Sequence, residues 1–101
     1  KFLILQEYLM AEYSSTDIYT HDRHCVINSD LFIAECSYPS TGLGYEIATA
    51  IENNKKLLLI AHRDALVTRM ILGIPEHKAK MVRYNNLDDI FPIVSQMFFH
   101  G

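Results

Sequence analysis

Four short apolar runs, "FLIL" at 2–5, "DLFIAE" at 30–35, "KKLLLIAH" at 55–62 and "KMVRY" at 80–84, alternate along the chain with segments of helical period. This alternation constrains the fold more than any other feature. Runs that stay apolar through successive positions have to be covered on both faces, and parallel strands joined through helices meet that demand. The expected architecture is α/β, a three-layer flavodoxin- or Rossmann-like fold with a mostly parallel sheet, as one domain over residues 1–101. "KKLLLIAH" is the most apolar run and is expected at the centre of the sheet. The spacing predicts a helix over about 16–28, with Ser15 or Thr16 as N-cap, and a second over about 44–52 ended by "ENN". A short helix over 65–72 stops at Gly73 and Pro75. A closing helix over 87–99 contains Pro92, which makes it start late or kink. In such sheets ligands bind beyond the carboxyl ends of the strands, here the loops after residues 35 and 61.

Charge and composition remove several function classes. Twelve acidic against nine basic side chains give a net charge of -3, with no Lys/Arg stripe of the kind a polynucleotide binder uses. The longest apolar run, "LLLIA", is too short to span a bilayer, and no secretory signal opens the chain. The expectation is a soluble protein of the cytoplasm or nucleus, without a membrane or polynucleotide partner. Cys25 and Cys36 are not in C-x-x-C spacing and read as buried small hydrophobes in a reducing compartment. The chain begins at Lys1 and enters a strand at once, which reads as an N-terminally truncated domain.

The stretch "PSTGLGYEIATAIENNKK" places small residues and hydroxyls just ahead of a helix. Ser37, Ser40 and Thr41 offer hydroxyls, while Gly42 and Gly44 let backbone N–H groups approach a phosphate or sugar at the helix's positive end. The same composition also suits a plain β-to-α turn, and the pattern lacks the third glycine of G-x-G-x-x-G. Glu46 is expected in the first helical turn, where the macrodipole favours a carboxylate; simple dipole pairing accounts for such a glutamate equally well.

In the preceding helix Ile18, Asp22, Cys25 and Val26 fall on one face, which puts Asp22 inside an apolar stripe. Desolvation favours a protonated carboxyl, so Asp22 and Glu46 in contrasting environments suggest an acid paired with a nucleophile. The competing arrangement has Asp22 turned to solvent or paired with Arg23 or Arg69. His21 and His24 share a helix face but lack a third ligand, so no metal site is expected and both read as surface histidines.

These residues carry a resemblance. "SDLFIAECSYPSTGLGYEIATAIENNKKLLLIA" is similar to the core of the 2'-deoxynucleoside 5'-phosphate N-hydrolases, within the nucleoside 2-deoxyribosyltransferase superfamily. Asp30, Ala34, Glu35, Pro39, Ser40, Gly42, Gly44, Tyr45 and Glu46 stand at the fixed positions of that family's pattern. The resemblance implies that Glu46 is the nucleophile on the sugar's anomeric carbon and that Asp22 is its catalytic partner. It further implies a 5'-phosphate contact from Ser40, room for the sugar phosphate at Gly42 and Gly44, and substrate contacts from Tyr8 and Ile18. No cofactor is implied. It also implies a 2'-deoxynucleoside 5'-monophosphate as substrate and a homodimer with a shared active site.

Two features depart from the pattern. No G-S-I-R-G-G-like phosphate loop occurs, so a strand and helix of roughly 30 residues are expected ahead of Lys1. The family's second phosphate-contacting serine has no counterpart either: "IPEHKAK" offers His77 and Lys78, and Lys78 is the expected replacement. Val67, Met70, Ile71 and Ile74 follow helical spacing and suit either core or a subunit interface. A base-exchanging transferase and a non-catalytic nucleotide-binding module on the same scaffold are the alternative functions.

Overall fold

The computed structural model describes residues 2–3 and 13–100. In chain order they form β1 (Phe2–Leu3), α1 (Ser15–Ile27), β2 (Leu31–Glu35), α2 (Thr41–Glu52), β3 (Leu57–His62), α3 (Arg69–Leu72), β4 (Lys80–Tyr84), a 3-10 turn (Leu87–Ile90) and α4 (Phe91–His100). The four strands form one parallel sheet in the order β1-β2-β3-β4. Phe32 pairs with Leu57, and Leu59 with Met81, so β3 lies between β2 and β4 as its apolar composition requires.

β2 and β3 divide their side chains between two cores. Phe32, Ala34, Leu57 and Leu59 pack with Val26 of α1 and with Ile47 and Ala50 of α2. Leu31, Ile33, Leu58 and Ile60 pack with Ile90 and Val94 on the other side. Helices therefore cover both faces, giving the three-layer α/β arrangement. Sequential strand order joined by right-handed crossovers requires the connecting helices to share one face, and α1 and α2 do so. α4 supplies the opposite layer, with the Lys56 ammonium donating to the Met97 carbonyl at 2.8 Å.

Helix boundaries differ from the expected ones where local hydrogen bonds decide them. Ser14, not Ser15 or Thr16, caps α1, its hydroxyl accepting from the Asp17 N–H at 3.1 Å. α2 begins at Thr41 rather than Gly44, because the Ser40 hydroxyl accepts from the Leu43 N–H and opens the helix earlier. Beyond its C-cap at Asn53, Asn54 takes the left-handed conformation at φ 55°. α3 is shorter than the expected 65–72 helix, since Thr68 caps it and only one turn follows. The 87–99 segment resolves into a 3-10 turn and then α4, with Pro92 in the first turn of α4, where a missing N–H costs little. Cys36 is buried as expected, and burial followed by the neighbouring Glu35 charge pushes its thiol up to about 11; Cys25 is only half-buried.

The carboxyl ends of three strands are tied together. Glu35 at the end of β2 accepts hydrogen bonds from the Tyr84 hydroxyl at the end of β4 and from the Ser37 N–H. The Ser37 hydroxyl accepts from the His62 N–H at the end of β3, at 2.8 Å. Tyr84 thus reaches across β3 and fixes the segment that leads into α2. The hydrogen bond to Glu35 is the main cause that raises the Tyr84 pKa above the ordinary 10.0. A raised folded-state value contributes stability below that ordinary value, and the contribution is lost as pH rises through the folded one. Tyr84→Phe is expected to cost about 1 kcal/mol near neutrality, less than a fully buried charge-assisted bond because solvent screens this half-buried site. The variant is also expected to lose less stability than the parent as pH rises above 10, which thermal melts at increasing pH check.

Candidate active site

Because α1 and α2 lie side by side on the sheet, one face of each borders a common cavity of about 220 Å³. From α1 it is lined by Ile18, Tyr19, Asp22, Arg23 and Val26, and from α2 by Gly42, Tyr45, Glu46 and Thr49. These positions recur at three- and four-residue intervals, the spacing that keeps side chains on one helical face. Asp22 and Glu46, singled out in the sequence on separate helices, are thus brought into one cavity.

Asp22 is buried, with 6% of its surface exposed, in keeping with its place in the apolar stripe. Its hydrogen-bond partner is neither Arg23 nor Arg69 but His21, whose Nδ1 lies 3.2 Å from Oδ1. Glu46 is half-buried, with Oε2 shielded from solvent. The earlier start of α2 places Glu46 in the second turn rather than the first, so the helix dipole, which falls off within one turn, acts on it less than expected. Among the described residues it shares the cavity with Ile18, Asp22 and Val26 of the α1 face opposite.

The Tyr19 and Tyr45 hydroxyls approach to 3.0 Å, and their rings meet edge to face at 5.8 Å. This hydrogen bond is the main cause that raises the Tyr45 pKa above its ordinary value. Thr49 is buried and donates its hydroxyl to the Tyr45 carbonyl at 2.9 Å. The cavity therefore offers two carboxyls, a guanidinium and two phenols around an apolar floor of Ile18 and Val26. The sequence does not single out Tyr19, Arg23 or Thr49 as site residues; the signal that could have found them is that Tyr19 stands three residues before Asp22, Arg23 four after Tyr19, and Thr49 three after Glu46.

The remaining expected contacts lie elsewhere. Ser40 and Gly44 border a larger groove of about 580 Å³, together with Leu43, Ile47, Val67 and Ile71. The Ser40 hydroxyl accepts from the Leu43 N–H as a helix cap while it lines this groove. A Cβ added at Gly44 would meet nothing within 4 Å, and its backbone is not left-handed, so neither packing nor conformation requires glycine there. Lys78 does not line the Asp22–Glu46 cavity of its own chain; it borders a separate pocket with Lys55 and His77 beyond the C-terminal end of α2. The loop after residue 61 lines neither carboxylate, contrary to the general expectation for strand ends, since the open space lies between helices. Tyr8 lies outside the described residues. His24 is exposed and lies 3.2 Å from the Asn28 amide. Among the described residues no cluster of three or more His, Cys, Asp or Glu side chains could hold a metal ion, and no helix is long and apolar enough to cross a membrane.

No family model matches the chain. A protein of Syntrophotalea carbinolica that carries the provisional name 2'-deoxynucleoside 5'-phosphate N-hydrolase 1 is 37% identical over 79 residues, covering 76% of this chain and 54% of that protein. One of Tetraodon nigroviridis named 5-hydroxymethyl-dUMP N-hydrolase is 30% identical over 86 residues, covering 81% of this chain and 61% of its own length. The chain spans about half the length of the curated relatives it matches. The solved structure of a CMP N-glycosidase from Clostridium botulinum superposes with a TM-score of 0.70 at 24% identity, over 84% of this chain and 71% of that one, which establishes the shared fold. Sequence similarity of this extent, carried on the same fold, shows that the chain belongs to the 2'-deoxynucleoside 5'-phosphate N-hydrolase family.

Proposed function

We propose that this chain carries the catalytic face of an N-glycosidase that hydrolyses 2'-deoxynucleoside 5'-monophosphates to a free base and 2-deoxyribose 5-phosphate. The observation that carries the reading is the meeting of Asp22 and Glu46 in one cavity. In the first step a Glu46 carboxylate oxygen bonds to C1', the C1'–N bond breaks, and Asp22 passes its proton to the departing base. In the second, water attacks C1', gives a proton to Asp22, and the bond to Glu46 breaks. The proton returns to its origin and the scheme uses no cofactor or metal. Ile18 and the tyrosines suit a flat base, and Arg23 adds positive charge beside two carboxyls.

Two arms test the chemistry. In the intact protein, Glu46→Gln is expected to reduce cleavage by roughly a thousandfold or more with the melting temperature little changed, because the covalent step has no substitute. Product analysis with a second free base present distinguishes water from a base as the acceptor; transfer to that base in place of hydrolysis assigns the chain to the exchanging enzymes instead. Turnover near the parent rate in Glu46→Gln removes the glutamate from the mechanism.

Gly44 gives a separate handle on binding. The space beside its Cα opens on the groove that Ser40 also borders, and glycine in a helix costs stability relative to alanine. Gly44→Ala is expected to raise stability by up to about 1 kcal/mol, through helix propensity, and to raise KM for the monophosphate. A stabilised variant with unchanged KM would show that this space holds no substrate.

The same reading includes a cytoplasmic homodimer. Lys78, set apart from its own chain's cavity, contacts a phosphate only across a subunit boundary, and the exposed Leu66 and Met70 beside partly buried Ile71 and Ile74 suit such a boundary. Sedimentation at micromolar concentration is expected to give a dimer, and Lys78→Ala to weaken monophosphates more than nucleosides. A fully active monomer contradicts the shared site.

A further inference from the structure

We propose that His21 is a positioning residue for the Asp22 carboxyl, tying Oδ1 so that the transferable proton resides on Oδ2. This rests on the reading of Asp22 as the proton donor. Among the described residues His21 is the one hydrogen-bond partner of Asp22, at 3.2 Å from Nδ1 to Oδ1. The two side chains differ sharply in environment, with 54% of the imidazole exposed against 8% of the carboxyl. A buried carboxyl with one fixed oxygen has a single oxygen left to carry a proton, and an acid contributes only when that proton lies within reach of the leaving group.

The geometry also accounts for the imidazole's orientation. Cys25, one turn further along α1, has Sγ at 3.7 Å from Nε2 and 3.9 Å from Nδ1; in the tautomer with hydrogen on Nδ1, that N–H donates to Asp22 at 3.2 Å and the thiol donates weakly to Nε2. Both the neutral tautomer with hydrogen on Nδ1 and the imidazolium keep that donor. Among the described residues, the other ionisable groups on this part of the fold are Tyr19, Arg23 and Cys25 on its own helix and Tyr45 and Glu46 from α2, of which all but Cys25 line the cavity. His21 is absent from the cavity lining, so it acts on the chemistry through Asp22 alone.

The test compares three variants of the intact protein on a deoxynucleoside monophosphate and on a 2-deoxyribosyl 5-phosphate bearing a nitrophenol leaving group, which departs without a proton. His21→Ala is expected to lower kcat about tenfold on the nucleotide with KM within about twofold, and to lose less than about twofold on the activated substrate. His21→Asn, whose amide N–H lies close to the position of Nδ1, is expected to stay within about threefold of the parent on both. Asp22→Asn should lose far more on the nucleotide than on the activated substrate. Unchanged thermal melts for the half-exposed His21 variants separate positioning from damage to the fold. Full nucleotide activity in Asp22→Asn would overturn the assignment of the acid and the inference with it. A loss in Asp22→Asn with His21→Ala at the parent rate would overturn the inference alone, as would equal losses of His21→Ala on the two substrates.

Discussion

Right-handed crossovers between neighbouring parallel strands set α1 and α2 on the same face of the sheet, and the candidate site depends on that juxtaposition. Neither helix has a site of its own. Asp22 lies within an apolar stripe on α1, and Glu46 lies beyond the first turn of α2. Only when Val26, Ile47 and Ala50 bury against Phe32, Ala34, Leu57 and Leu59 do the two carboxyls face a shared space. The apolar core therefore does more than stabilise: by fixing both helix axes on one pleated surface it fixes the relation of the two acidic groups.

The knot at the carboxyl end of the sheet complements this. Glu35, Ser37, His62 and Tyr84 come from three strands and the connection after β2, and their hydrogen bonds leave that connection little freedom. Since the connection ends at the Ser40 cap, the register of α2, and with it the azimuth of Glu46, is set by polar contacts on one side and apolar packing on the other. A site on rigid elements with anchored ends is how groups on separate segments are held within the tolerance chemistry demands. The tyrosine pair adds a third tie, joining α1 to α2 directly across the cavity.

Two surfaces beside the site differ in character. The groove bordered by Ser40, Gly44 and Leu43 is largely apolar and is shared with Val67 and Ile71. The pocket of Lys55, His77 and Lys78 is basic and lies at the opposite end of α2 from the Ser40 cap. The separation follows from helix length alone: a helix of twelve residues spans about 18 Å, more than one side chain can bridge. Any role of Lys78 at a phosphate held near Ser40 therefore belongs to an assembly of chains and not to a single one.

The sequence by itself determined the class of fold, because period-free apolar runs such as "LLLIA" and "LFIA" fit only strands covered on both faces, and helical intervals between them leave few topologies. It also favoured burial of Asp22, through the apolar neighbours on its helical face, but left open a turn to solvent or a pairing with Arg23 or Arg69 that only the structure excludes. Helix starts were less legible: Ser14 and Ser40 became caps through single hydroxyl bonds, and several nearby serines and threonines could have made the same bond. Only the tertiary structure decided that Asp22 meets His21, that Tyr19 meets Tyr45, and that Gly42 and Gly44 face different openings. Such contacts depend on the azimuth at which each helix packs, and the azimuth is fixed by the fit of whole faces against the sheet, a property that no local stretch of residues carries.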